Sequence, residues 1–172
     1  MGRALRIVDP NSIYHVISRG NNRGPIVWDE PDRASFRDEF AAVASQRRWD
    51  VLAWCLMMTH YHALVRARHG GLSEGMQALN GNHSRRTNHR YGRTGHLFQN
   101  RFFSVEVASD AHLVGALLYV ARNPVAAGVC SDASQWSDSS YRATVGLDRA
   151  PRWLMVEDVL RLFGRIRDEA QR

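Results

Sequence analysis

Residues 51–67 constrain the fold more than any other stretch. V-L-A-W-C-L-M at 51–57 and H-Y-H-A-L-V-R-A at 60–67 are two apolar runs rich in β-branched and aromatic residues, and only Met58 and Thr59 separate them. A connection this short joins antiparallel strands, because a parallel pair needs a crossover of roughly a dozen residues or more. The two strands are therefore expected to form an antiparallel hairpin.

What flanks the hairpin extends the pattern. S-I-Y-H-V-I-S-R at 12–19 reads as a strand that stops at Gly20-Asn21-Asn22, with His15 as a structural strand histidine. From Asp29, with Pro31 suited to a first helical turn, Phe36, Phe40 and Val43 recur at helical spacing and predict a helix to about Arg48. After Gly70-Gly71, Ser73 is the expected cap of a second helix, whose stripe is Leu72, Met76, Leu79 and His83 and whose middle Gly81 weakens. Residues 98–107 read as a fourth strand, and Asp110 as the cap of a helix carrying Leu113, Leu117 and Val120. A last amphipathic segment, 156–167, is expected to bury Leu160 and Phe163. The order β-α-β-β-α-β is that of the split β-α-β, so the expectation is an α+β, ferredoxin-like core with an antiparallel sheet, followed by a further helix and a C-terminal helical tail. Residues 1–146 form the expected domain and 147–172 the tail.

At 172 residues with 44% hydrophobic content, the chain can bury one real core. All 23 basic residues are Arg, against 17 acids, for a formal charge of +6. Arg offers a planar fork suited to phosphate, so a nucleic-acid partner fits; GC-rich coding also favours Arg, but the positive field remains. That field is concentrated. Between Glu74 and Glu106 no acid occurs, while Arg85, Arg86, Arg90, Arg93 and Arg101 lie there among Asn82, Asn88, Tyr91, His96 and Phe98. Solvated faces usually mix both signs, and a nucleic-acid footprint explains the one-sidedness better. Cys55 and Cys130 are too few for a disulfide framework and too far apart for a zinc knuckle, so a reducing cytoplasm is expected. No apolar run approaches the roughly 20 residues that span a bilayer, and no membrane association is expected.

Two short patterns carry chemistry. On a strand, His60 and His62 emerge on one face, which is half a metal site, although an isolated H-x-H is more commonly an ordinary strand pair. On the helix after Asp110, Tyr119 and Asn123 stand four apart and share a face. Asn123 precedes Pro124, a place where Asn also serves as a helix terminator, and Tyr119 between Leu118 and Val120 has the alternative of a core position.

The wider sequence resembles a family. M-M-T-H-Y-H-A-L-V at 57–65, Y-H-V-I-S-R-G-N at 14–21, G-H-L-F-Q-N-R-F at 95–102, Y-V-A-R-N-P-V-A-A-G at 119–128 and W-S-D-S-S-Y-R at 136–142 are similar to blocks of the single-tyrosine HUH transposases, in the family order. The REP-associated tyrosine transposases are the most similar group. The resemblance covers residues 12–146 and implies the same ferredoxin-like core. It also implies that Tyr119 is a nucleophile and that His60, His62 and Asn123 hold Mg²⁺ or Mn²⁺. Two neutral nitrogens and an amide oxygen suit such an ion, whereas a closed zinc site needs a fourth protein ligand. The implied reaction is cleavage and strand transfer of single-stranded DNA near hairpins through a 5′-phosphotyrosine, by a monomer or a homodimer. Arg19, Arg85, Arg86, Arg90, Arg93, Gln99, Arg101 and Arg122 are the expected DNA contacts. Thr59 stands where the family usually has Asn, and Ala126 where it often has Arg; neither is expected to touch the chemistry. Two other readings stay open: a metal-dependent phosphodiesterase that uses water, and a non-catalytic single-stranded nucleic-acid binder that stacks bases on Phe98, Phe102 and Phe103.

Overall fold

The structure, a computed structural model, describes residue 9 and residues 11–170. Its strands are β1 (Ile13–Arg19), β2 (Asp50–Leu56), β3 (His60–Arg66) and β4 (Phe103–Val107), and its helices α1 (Glu30–Gln46), α2 (Leu72–Arg90), α3 (Asp110–Ala126), α4 (Tyr141–Thr144) and α5 (Val156–Ala170). The four strands form one sheet in the order β2-β3-β1-β4, and every neighbouring pair is antiparallel. This is the α+β, ferredoxin-like arrangement that the order of elements predicts.

Alternation along the strands builds two cores. Tyr14, Val16, Val51, Trp54, Leu56, Tyr61, Ala63 and Val65 point to one face, where Phe36, Phe40 and Val43 of α1 and Leu72, Met76 and Leu79 of α2 cover them. On the other face Leu52, Ala53, Cys55 and Leu64 meet Leu113, Ala116, Leu117 and Val120 of α3. A register shift between Val51 and Ala53 turns Leu52 and Ala53 to the same side. Close approach demands glycine at two places: a Cβ at Gly75 would lie 2.3 Å from the Trp49 ring, and one at Gly20 would lie 2.0 Å from the Gly24 carbonyl oxygen.

Local chemistry sets several boundaries differently from the expectation. Asp29 caps α1, accepting from the Asp32 backbone N–H at 3.1 Å. Helix α2 starts at Leu72 behind a left-handed Gly71, so Ser73 is inside the helix rather than its cap. Ser109, not Asp110, caps α3 by accepting from the His112 backbone N–H at 3.2 Å. The fourth strand begins at Phe103, because residues 98–102 leave the sheet after a single bridge from Phe98 to Gly20. Helix α5 turns Val159 and Leu162 inward and leaves Leu160 and Phe163 exposed, the reverse of the expected stripe.

The segments after α3 are tied to β2 on the side away from β3. The Leu56 N–H donates to the Asp138 carbonyl, the Ser140 N–H to the Trp54 carbonyl and the Met155 N–H to the Val51 carbonyl. Asp138 is buried and its carboxylate accepts from Arg33 at 3.0 Å and from Arg37, both on α1. The W-S-D-S-S-Y-R block is thus a structural anchor joining α1 to β2.

Candidate active site

The face of the sheet under α3 is apolar at one end and polar at the other. His60 and His62 of β3 point toward α3 together with His15, Ile17 and Arg19 of β1, since the register sets Arg19 opposite His60 and Ile17 opposite His62. Helix α3 runs on through Pro124 to Ala126, so Asn123 is a helical residue one turn beyond Tyr119 and not a terminator. Its side chain reaches both histidines: Oδ1 is 3.3 Å from His60 Nε2 and Nδ2 is 3.3 Å from His62 Nε2. Tyr119 is exposed and stands edge-on to His62, ring centres 5.3 Å apart. One face of one chain therefore gathers Tyr119, His60, His62 and Asn123.

Two further residues orient the imidazoles. His15 Nε2 lies 2.9 Å from His62 Nδ1, and its ring is also edge-on to Tyr119 at 5.9 Å. With the Asn123 amide N–H donating to His62 Nε2, His62 carries its proton on Nδ1 and donates it to His15. Thr59 Oγ1 sits 3.0 Å from His60 Nδ1; with His60 Nε2 donating to the Asn123 Oδ1, the hydroxyl donates to Nδ1 here, and it could accept from Nδ1 instead if a cation took Nε2. Neither role is legible in the sequence, which marks His15 as structural and Thr59 as remote from the chemistry. The signal for His15 is parity. It alternates with the buried Tyr14 and Val16 and so shares a face with Arg19.

Burial keeps these rings neutral. Desolvation, followed by the neighbouring His60, His15 and Arg19, pushes the His62 pKa down to about 3. Desolvation and Arg19 also lower His60, and desolvation and His112 lower His15. Neutral Nε2 atoms are what a divalent cation requires, and outer partners on both Nδ1 atoms are the usual support of metal-bound imidazole. No group of three or more His, Cys, Asp or Glu able to hold a metal occurs among the described residues; the donors that face one another here are His60, His62 and the Asn123 amide. Such a set suits Mg²⁺ or Mn²⁺ with positions left for water or phosphate.

The arginines divide. Arg19, exposed at the end of β1, is beside the histidines, and Arg122 is exposed on α3 close to Tyr119 in sequence. Arg85, Arg86 and Arg90 are on α2, which covers the opposite face of the sheet. Arg90 is moreover occupied. It holds Asp29 in a fork at 2.7 and 2.6 Å and also binds the buried Asp32, so the acids of α1 neutralise it. The acid-free stretch is one-sided in sequence but not in space at this point, because Arg90, an expected DNA contact, is paired here with two acids. Arg85 bonds to Asn82 and Arg86 to Ser35. Arg93 lies over the Trp28 ring at 5.1 Å. Arg101 and Gln99 are exposed, and the Gln99 backbone N–H donates to the Arg19 carbonyl. Phe98 and Phe102 are buried, which leaves the stacking reading only Phe103 of its three rings.

With this site in place, comparison with known proteins is decisive: residues 9–123 match the family model described as IS200-like transposase. The chain belongs to the IS200-like transposase family. The match ends on Asn123 and contains both histidines and Tyr119. As a transposase it is a DNA-processing enzyme. Its fold is shared with a REP-associated tyrosine transposase solved bound to a REP hairpin, at TM-score 0.69 and 18% identity over 88% of this chain and 89% of that one. A transposase-like protein of Deinococcus radiodurans R1 aligns at TM-score 0.47 and 19% identity, over 66% of this chain and 92% of the other. No curated protein matches the transposase in sequence. No described helix is long and apolar enough to cross a membrane.

Proposed function

We propose that this transposase cleaves and rejoins single-stranded DNA next to a hairpin, forming a 5′-phosphotyrosine on Tyr119 with Mg²⁺ or Mn²⁺ held by His60, His62 and Asn123. The observation that carries the reading is the exposed Tyr119 ring set against His62, while Asn123 on the next turn touches both histidines. The hairpin is taken from the relative solved with one.

When bound, a divalent cation would neutralise the charge of the scissile phosphate, which otherwise repels a nucleophile. Tyr119 supplies that nucleophile. Its phenolic oxygen bonds to phosphorus, the bond from phosphorus to the 3′-oxygen breaks, and the released 3′-oxygen takes a proton. One ester replaces another, so the strand stays tethered without an energy-rich cofactor. His15 and Thr59 fix the rings of His62 and His60, and Arg19 adds positive charge where the phosphate approaches. All these groups are supplied by the one chain described.

The test is incubation with hairpin-bearing single-stranded oligonucleotides and Mn²⁺ or Mg²⁺, followed by denaturing electrophoresis. A protein–DNA adduct is expected from the parent and none from Tyr119→Phe. Cleavage without adduct that persists in Tyr119→Phe would instead make water the nucleophile.

A further inference from the structure

One cavity lies away from the histidines. It has a volume of about 780 Å³ and lies between α2 and residues 95–102, within the roughly 300–1,000 Å³ typical of small-ligand clefts. Its lining includes the buried side chains of Met76, Leu97, Phe98 and Phe102. Gln77, Gln99 and Asn100 also line it; they are exposed, and their amides make no hydrogen bond to other described residues. Arg101 lines it too, and Glu74 is the one acid among the lining residues. An apolar floor edged by free amides and a guanidinium matches a nucleobase, which offers a flat apolar face and a rim of donors and acceptors.

Position decides the occupant. The Gln99 N–H donates to the Arg19 carbonyl at 2.9 Å, and Arg19 lies opposite His60 in the sheet register, so the segment that lines the cavity is joined to the end of β1 that borders the histidines, while α2 itself covers the other face of the sheet. Almost the whole lining falls in the acid-free stretch, which repels no phosphate. We propose that this cavity takes one unstacked base of the DNA strand whose phosphate is cut at Tyr119, anchoring that strand a short distance from the scissile bond. The proposal rests on the reading of the protein as a single-strand transferase.

Gly81 gives the test. It lines the cavity, and a Cβ there would meet only the flexible end of Arg85 at 3.5 Å, so Gly81→Met fills the cavity without touching backbone and removes a mid-helix glycine. Binding is measured by anisotropy, without added metal, on an oligonucleotide selected from a hairpin-bearing random pool by the parent chain. Each unpaired position in turn is made abasic. One abasic position should weaken binding to the parent about tenfold, the scale of one stacked base. Gly81→Met should lose a similar factor on the intact strand and show no further loss with that abasic one. The exposed variant Asn100→Ala should shrink the same penalty should Gly81→Met fail to fold. If no abasic position matters, or if both variants keep the full penalty, the cavity does not hold a base. Because no covalent step is read, a missing adduct with an intact abasic penalty overturns the chemistry and not the pocket, and the converse overturns only the pocket.

Discussion

Tyr61 and His62 are consecutive on β3 and both are almost fully buried, at 1% and 2% exposure, yet burial has opposite uses on the two faces. Burial raises the Tyr61 phenol, whose hydroxyl donates to Asn80 at 2.7 Å, and the Asn80 amide donates to Ser18 at 2.8 Å. Those polar atoms satisfy one another within the packing of α1 and α2. On the other face burial depresses His62, and its polar partners lead outward to Asn123, His60 and an exposed tyrosine. Depth alone therefore separates nothing. A polar network that closes on itself fixes a core, while one whose acceptors converge beside a solvent-reached phenol can build a site.

The sharpest way to break this contrast is to remove one member from each face. His60→Ala or His62→Ala should lower adduct formation more than a hundredfold, because the cation of the proposed mechanism would supply several kcal/mol of transition-state stabilisation. His15→Ala should fall between, with an about 10–100-fold loss, as removal of an outer partner of a metal-bound imidazole does. Tyr61→Phe should leave the rate per folded molecule unchanged. Equal losses in Tyr61→Phe and His62→Ala, measured on samples matched for folded fraction, would erase the distinction.

Next in size is the closed face. Phe36 is fully buried against Phe40, Tyr61 and His83, and Phe36→Ala should destabilise the protein by about 3–5 kcal/mol. Chemical denaturation reads the loss, while single-turnover cleavage by the folded fraction should not move.

A smaller effect is expected with pH in the metal-free protein. His15, His60 and His62 all have folded pKa values below their unfolded value of 6.5. Below that value the unfolded chain takes up protons that the folded one refuses, so stability is full above it and falls as pH drops toward about 3, where His62 itself titrates. The slope is at most about 1.4 kcal/mol per pH unit for each such group. His62→Gln should flatten it. Denaturant midpoints from pH 7 to 4 that stay parallel in parent and variant would assign the acid loss elsewhere.

The least change is expected from the arginines. Arg19→Gln with Arg101→Gln should reduce the salt slope of single-strand binding by about 0.7 for each phosphate no longer neutralised. Arg90→Gln should leave that slope alone and instead cost stability, since Asp32 is buried and loses a charged partner. A change of slope in Arg90→Gln would restore that residue to the DNA surface.

Periodicity makes much of the fold legible, because strand alternation and helical spacing are local. The hairpin at 51–67 and the stripe of α1 need no partner to be read. What escapes is decided across the chain. Phe98 and Phe102 look like strand residues, but they are buried where the chain leaves the sheet. In α5, Val159 with Leu162 and Leu160 with Phe163 are two apolar pairs at the same spacing, and only the surface of β2 selects between them. Arg90 meets its acids across two packed helices, so its neutralisation leaves no trace in the local charge pattern. At the site, the resemblance points to Tyr119, His60, His62 and Asn123, and the structure brings those four together; His15 escapes because a lone strand histidine declares no partner.

The ties from residues 138–140 and 153–155 to β2 have a consequence for assembly. They occupy the hydrogen-bonding groups that an outermost strand would otherwise present to another polypeptide. At the far side of the sheet, β4 pairs with β1 and with no other described strand. Unpaired margins are where sheets recruit further strands, so any continuation of this sheet, by a second copy or by an extended peptide, is directed to β4. Such a junction would form along Phe103 and Val105, on the same side of the sheet as His15, and would bring the newcomer to the rim of the active site rather than to its back.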